Sequence, residues 1–186
     1  MLTVKLLAAV NKAAGSGDRL EGMYIDISKG FCYVTNRVLL VRVAINGKRS
    51  QSKKAFRFVP LEYLKEIAKK EKPSTAIEFD AKNNQLIAGA SRFNMYDPDP
   101  KLPESFFASI EKFLTPSEKD QEFGFYAPQY LNLIESILKA AGAGSLNRVS
   151  PSLKIDWVAI PGGRRGPLVI DTASHGITAA LMPMVV

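Results

Sequence analysis

The stretch VIDTASHGITAALMPMVV, residues 169–186, decides how this chain is read. Its last ten residues carry no charge, and nothing polar follows Thr178. An apolar tail of that kind frays in water unless a sheet takes it up. Two runs rich in β-branched residues, LVIDT and ITAALMPMV, supply the strands for that. The segment is therefore expected to close a sheet, with Asp171 and Ser174 shaping the turn before the last strand. Methionine is flexible and polarizable, so Met182 and Met184 beside Pro183, Val185 and Val186 suit either of two tasks. They fill a core, or they line an adaptable apolar slot for linear motifs.

Working back from the tail, LKIDWVAI reads as a further strand and PGGRRGP as a hairpin tip. Before them APQYLNLIESILKAAG reads as a helix with Pro128 near its start and Gly142 at its end, preceded by the strand EFGFY. The same order occurs earlier. AFRFV is a strand, PLEYLKEIAKKEK a helix with Pro60 in its first turn, and TAIEFD and QLIAGASRFNMY are strands around the turn AKNN. At the start, Val4, Leu7, Ala8 and Val10 recur at helical spacing as far as GSGD. LEGMYIDI then alternates Met23, Ile25 and Ile27 against Tyr24 and Asp26, and FCYVTN and RVLLVRVAI continue as antiparallel strands. NGKRSQSKK reads as a polar connector. One unit, a helix leaning on a small antiparallel sheet, thus recurs over 1–46, 54–97 and 121–186. The expected class is α+β, with repeated helix-on-sheet modules, antiparallel sheet on one face and helices on the other. The Pro-rich crossing DPDPKLPESFFASIEKFLTPSEKD has linker composition around a short amphipathic turn at 105–113, and divides the chain into 1–118 and 119–186.

The 186 residues suffice for a substantial core. No apolar run approaches the roughly 18–20 residues that cross a bilayer, and the N-terminus lacks the pattern of a signal peptide, so a cytoplasmic protein with no membrane partner is expected. The one cysteine, Cys32, sits within the apolar run FCYV and reads as a buried hydrophobe, which leaves neither a disulfide framework nor a thiolate metal site. The formal charge of +7 is focused. Ten Lys and Arg against three Glu between Arg42 and Lys72 account for all of it, and the remainder of the chain is neutral. A basic segment on a neutral body suits a polyanion such as DNA, while a solvated charged surface is the alternative.

Enzymatic motifs carry little weight. DTASHG brings together Asp171, Ser174 and His175, but residues three and four apart in one strand and turn cannot chain into a hydrolytic triad, which is assembled from distant segments. PGGRRGP lacks the Lys-Ser/Thr of a nucleotide loop and precedes a strand rather than a helix. No ligand cluster for a metal and no cofactor motif is present in the sequence. A non-enzymatic protein is expected.

The module order, together with three segments, resembles the bacterial DNA-polymerase sliding clamp, the β subunit of the replicative polymerase. VIDTASHGITAALMPMVV is similar to that family's closing strands with their Met-Pro-Met ending. FGFYAPQYLNLIESILKA is similar to its last strand–helix entry. FVPLEYLKEIAK resembles the Val-Pro-led helix of its middle domain, and GMYIDISKGFCYVTNRVLLVRVAI follows that domain's strand pattern. The family carries six modules per chain and closes a ring of twelve, whereas three are read here. Residues 1–118 then correspond to one complete domain of two modules and 119–186 to half of another, so ring closure would need four copies.

The resemblance implies two sites. The first is a groove beside the Met-Pro-Met strand that takes up short apolar peptides from polymerases and clamp loaders. By position it consists of Thr35, Arg37, Val38, Leu40, Pro60, Leu64, Met182, Pro183, Met184, Val185 and Val186. TNRVLL departs from the family's Gly-His-Arg-Leu, so peptide preference does not transfer. The second is a helical surface that touches duplex DNA through phosphates, independent of sequence. Lys65, Lys69 and Lys72 share helical spacing beside Lys70, Lys5 and Lys12 lie seven apart on the first helix, and Lys139 is on the third. The implied function is a processivity factor in DNA replication that docks polymerase-type partners. The alternative is a monomeric or dimeric peptide-binding adaptor, or clamp decoy, that does not encircle DNA.

Overall fold

The computed structural model describes residues 1–15, 21–48, 56–99, 104–114, 126–143, 158–160, 167–172 and 175–183. Helix α1 (Val4–Val10) starts where the Thr3 hydroxyl oxygen accepts a bond from the Leu6 amide, and runs into a 3-10 turn at Asn11–Ala13. Strands β1 (Gly22–Asp26), β2 (Phe31–Thr35) and β3 (Leu39–Ala44) follow as an antiparallel meander. A short β4 (Asn46–Lys48) and β5 (Phe56–Pro60) precede helix α2 (Leu61–Lys70). Next come β6 (Ile77–Asp80), β7 (Gln85–Ala88), β8 (Ser91–Asn94), helix α3 (Glu104–Leu114) and helix α4 (Pro128–Ala141). Strands β9 (Val158–Ile160), β10 (Leu168–Thr172) and β11 (Ile177–Leu181) complete the order.

The expected α+β class with antiparallel pairing is the one observed, but the strands form two sheets rather than one continuous layer. Seven strands lie in the order β5-β1-β2-β3-β11-β10-β9, and four in the order β4-β6-β7-β8. The tail is taken up in the middle of the larger sheet: β11 pairs with β10 on one side and β3 on the other, with Ala179 opposite Ile170 and Val41. Five apolar or uncharged residues in an interior strand bury both faces, which is why this segment has no charge to expose.

The period of two along each strand divides the sheet's two faces. Met23, Ile25, Cys32, Val34, Leu39, Val41, Ile170, Ala179 and Leu181 face the main core, where they meet Leu6, Leu7 and Val10 of α1, Leu64 and Ile67 of α2, and Ile134, Ile137 and Leu138 of α4. Tyr24, Tyr33, Leu40, Val169 and Ala180 alternate with them on the opposite, outer face. Cys32 lies fully within the core, and burial pushes its thiol up to about 12, so it is an unreactive hydrophobe.

Several sequence expectations require correction. The turn at 105–113 is an eleven-residue helix, α3, whose Ile110 and Leu114 are buried against the outer sheet face, so this part of the crossing is a packed element and not a linker. It also places one helix on the face that was expected to carry none. QLIAGASRFNMY is two strands, because Gly89 at φ +57 turns the chain between β7 and β8. Residues 46–48 of the supposed connector pair in parallel with β6. Helix α2 starts after Pro60, which is extended (φ −59, ψ 146), and stops at Lys70 because Glu71 is extended. Helix α4 follows its sequence signals closely: Pro128 opens it, and Gly142 at φ +82 ends it with its amide donating to the Leu138 and Lys139 carbonyls. The strand read at EFGFY and the tip PGGRR lie outside the described residues.

Candidate partner groove and nucleic-acid face

The groove is built around the turn between β2 and β3. The Asn36 side-chain oxygen accepts bonds from the Val38 and Leu39 amides at 3.1 and 2.8 Å, and the Thr35 hydroxyl accepts from the Arg37 amide at 3.2 Å. These bonds hold Arg37 at φ 75, a region non-glycine residues rarely adopt, and turn its side chain to the surface. Val38 sits beside the emerging tail, its carbonyl accepting from the Met182 amide at 2.9 Å. A cavity of about 150 Å³ opens there, lined by Thr35, Arg37, Val38, Leu40, Ala180 and Met182 on the sheet side. Phe106, Ser109, Ile110 and Phe113 of α3 line the other side. Phe113 is 42% exposed, one of three large apolar side chains among the described residues with that much surface in water.

Five of the residues expected for the groove thus meet in one cavity. Pro183 follows Met182 and is half-buried, outside the lining. Pro60 and Leu64 do not belong: Pro60 pairs with Gly22 at the β5 edge, and Leu64 has no exposed surface, being packed in the core under α2. For Leu64 the inward-facing period of α2 is the physical reason. Met184, Val185 and Val186 lie outside the described residues. The α3 wall was missed because its segment reads as a proline-rich crossing, although the spacing of Phe106, Ile110, Phe113 and Leu114 is that of a helix with one apolar stripe.

A polar network runs beside the groove on the outer face. The Tyr33 hydroxyl donates to Glu111 Oε1 at 2.7 Å, and Lys29 Nζ reaches the same oxygen at 3.2 Å. Arg42 lies 3.5 Å from Glu111 Oε2, donates to Thr178 Oγ1 at 2.8 Å, and stacks over the Phe31 ring at 4.7 Å. Burial by itself would raise the Glu111 carboxyl, but the Tyr33 hydroxyl, Lys29 and Arg42 outweigh it and hold the group below the usual carboxylate range. Burial and the same carboxylate raise the Tyr33 phenol. Asp171 is not a turn residue: it sits on β10 opposite Thr178 and accepts that hydroxyl's bond at 2.7 Å. Ser174 lies outside the described residues. Among the described residues, no group of three His, Cys, Asp or Glu is arranged to hold a metal ion.

The other face of the sheet carries α1, α2 and α4. Lys5, Lys12, Lys65, Lys69, Lys70, Lys72 and Lys139 are all exposed. Lys70 pairs with Glu66 and Lys139 with Glu135, each one helical turn away. Two expected alignments change. Lys72 stands beyond the end of α2 and so off its face, and Lys12 belongs to the 3-10 turn, which shifts it from the row of Lys5.

No protein-family model and no curated protein matches the chain. Solved structures do. The DNA polymerase sliding clamp of Bacillus subtilis superposes with a TM-score of 0.55 at 12% identity, over 100% of this chain and 63% of that one. The chain has the sliding-clamp fold. The Pseudomonas aeruginosa clamp in complex with a ligand gives a TM-score of 0.59 at 12% identity, over 98% of this chain and 64% of the clamp. The Helicobacter pylori β clamp bound to a DNA ligase peptide gives 0.54 at 12% identity, over 98% and 63%. The chain therefore spans less than two thirds of the length of these clamps, and its clamp fold is a partial one. No helix among the described residues is long and apolar enough to cross a membrane.

Proposed function

We propose that the chain is a non-enzymatic, sliding-clamp-like platform that holds duplex DNA electrostatically and docks polymerase- or clamp-loader-type peptides in the groove beside Met182. The observation that carries this reading is the division of labour between the two faces of one sheet. Helices with exposed lysines cover one face, and an apolar cavity flanked by Arg37 opens on the other. Ammonium groups on helix surfaces contact phosphates without reading bases, which suits a protein that moves along DNA. The cavity, walled by Leu40, Ile110, Phe113, Ala180 and Met182, suits an aromatic or aliphatic anchor of a linear motif, with Arg37 facing an acidic neighbour.

In this reading residues 1–118 act as a complete two-module unit and 119–186 as a half unit, working in the cytoplasm, and encirclement of DNA requires self-association. The second reading is a monomeric or dimeric adaptor that keeps the groove without encircling DNA. Light scattering on a sizing column, combined with retention on circular against linearised plasmid, separates them. A stable oligomer retained on circles and lost from linear ends supports the platform; a monomer released equally from both refutes encirclement.

A further inference from the structure

Helix α3 is the one described helix on the outer face of the seven-stranded sheet. Phe106, Ile110 and Leu114 hold it against Tyr24, Tyr33, Leu40, Val169 and Ala180, with the Phe106 ring edge-on to Tyr24 at 6.0 Å. Eleven residues are too few to form a stable helix in water, so this segment is helical only while that face supports it. The sequence bounds it too: Pro98, Pro100 and Pro103 precede it and Pro116 follows, residues that do not favour a helix interior.

Among the described residues its charged attachment converges on one side chain. Glu111 receives the Tyr33 hydroxyl from β2, Lys29 from the turn between β1 and β2, and Arg42 from β3. Lys29 and Glu111 keep 51% and 35% of their side-chain surface in water, so the attachment is within reach of solvent and of a competitor.

The same helix limits the groove. Leu40 and Ala180 of the sheet belong both to the cavity lining and to the cluster packed under α3, so the apolar floor of the cavity continues beneath the helix. With α3 seated, about 150 Å³ is open, below the range of about 300–1,000 Å³ in which whole ligands are enclosed. That volume takes a single large apolar side chain. A segment with two or more anchors finds the rest of its floor only where α3 now lies.

We propose that α3 is a displaceable strap that occupies the partner-docking face, latched by Glu111, and that an amphipathic partner segment gains the full groove by displacing it. This inference rests on the docking reading of the groove. It also states the entrant's chemistry. Once α3 leaves, Lys29, the Tyr33 hydroxyl and Arg42 face outward beside an apolar floor. The best-matched segment is one that presents a carboxylate next to apolar residues spaced as Phe106, Ile110 and Leu114 are, one face of a helix.

The probe is a fluorescein-labelled peptide of residues 104–114, ESFFASIEKFL, added to the full chain. Glu111→Gln keeps the side chain's shape and removes its charge. This variant is expected to bind the probe about tenfold more tightly than the unaltered chain, since one charge-assisted attachment no longer competes. Amide exchange in 106–114 should accelerate while β1–β3 remain protected. Lys29→Gln, at a half-exposed position outside the core, should act in the same direction more weakly. Unchanged probe affinity together with α3 amides as protected as the sheet would overturn the strap. Met182→Arg separates this result from the docking reading: faster α3 exchange and probe binding that are both insensitive to Met182→Arg keep the strap and refute the groove as the docking site.

Discussion

Salt dependence gives the most direct quantitative test of the proposed DNA face. Lys5, Lys12, Lys65, Lys69 and Lys72 are exposed and form no ion pair among the described residues, whereas Lys70 and Lys139 are partly neutralised by Glu66 and Glu135. If each of the five meets one phosphate, the logarithm of the binding constant falls with the logarithm of salt at a slope of about −0.9 per contact, or about −4.5 in all. Between about 50 and about 200 mM salt the affinity for a duplex would drop about 500-fold. The double variant Lys65→Ala, Lys69→Ala removes two contacts, reducing the slope to about −2.7 and the loss to about 40-fold. Both positions are on the solvent side of α2, so the fold should change by no more than about 0.5 kcal/mol. Fluorescence anisotropy with a labelled duplex of random sequence, titrated with potassium chloride, measures both slopes. A slope near zero in the unaltered chain, or the same slope in the double variant, would refute the assignment of this face to DNA.

Met182→Ala should weaken capture of an apolar clamp-binding peptide about tenfold, as loss of a groove anchor does, with thermal stability nearly unchanged because Met182 is only half-buried; equal peptide affinity would sink the groove. Leu64→Ala should instead cost about 2–5 kcal/mol of stability by opening a cavity in the core, read as a lower urea midpoint at constant slope, with intact peptide binding in the fraction that remains folded. The Glu111 carboxyl sits below its usual range in the folded chain, so its stabilising contribution is complete above the unfolded value of about 4.3 and disappears as pH falls through the lower folded value. The melting temperature should therefore fall on acidification below about pH 4.5, and it should fall less steeply in Glu111→Gln; identical acid profiles would contradict the latch.

Much of the fold is legible in local pattern, because the forces that set it are local or periodic. The alternation of Met23, Ile25 and Ile27 against Tyr24 and Asp26 states which residues share a face, and the core follows it. Pro128 and Gly142 bound α4 through backbone geometry alone. The end of α2 is less accessible, since KKEK is compatible with helix and the extended Glu71 reflects where its side chain meets Ser91, twenty residues away. Half of the groove was legible as well. Thr35, Arg37, Val38, Leu40 and Met182 meet because the β2–β3 turn leads into β3, which pairs with β11, and Leu64 fails because its helical phase points inward.

What the sequence determined by itself is thus helices α1, α2 and α4 and most of the strands, the apolar face of those strands, an uncharged last strand and the concentration of positive charge. Each follows from side-chain chemistry repeated at a fixed spacing. Only the tertiary structure decided that β11 inserts between β3 and β10, that the strands form two sheets, and that α3 crosses the outer face to wall the groove. Strand order and helix docking depend on contacts between residues far apart in the chain, such as Glu111 with Tyr33 and Arg42. The free energy of those contacts is realised only when distant surfaces meet.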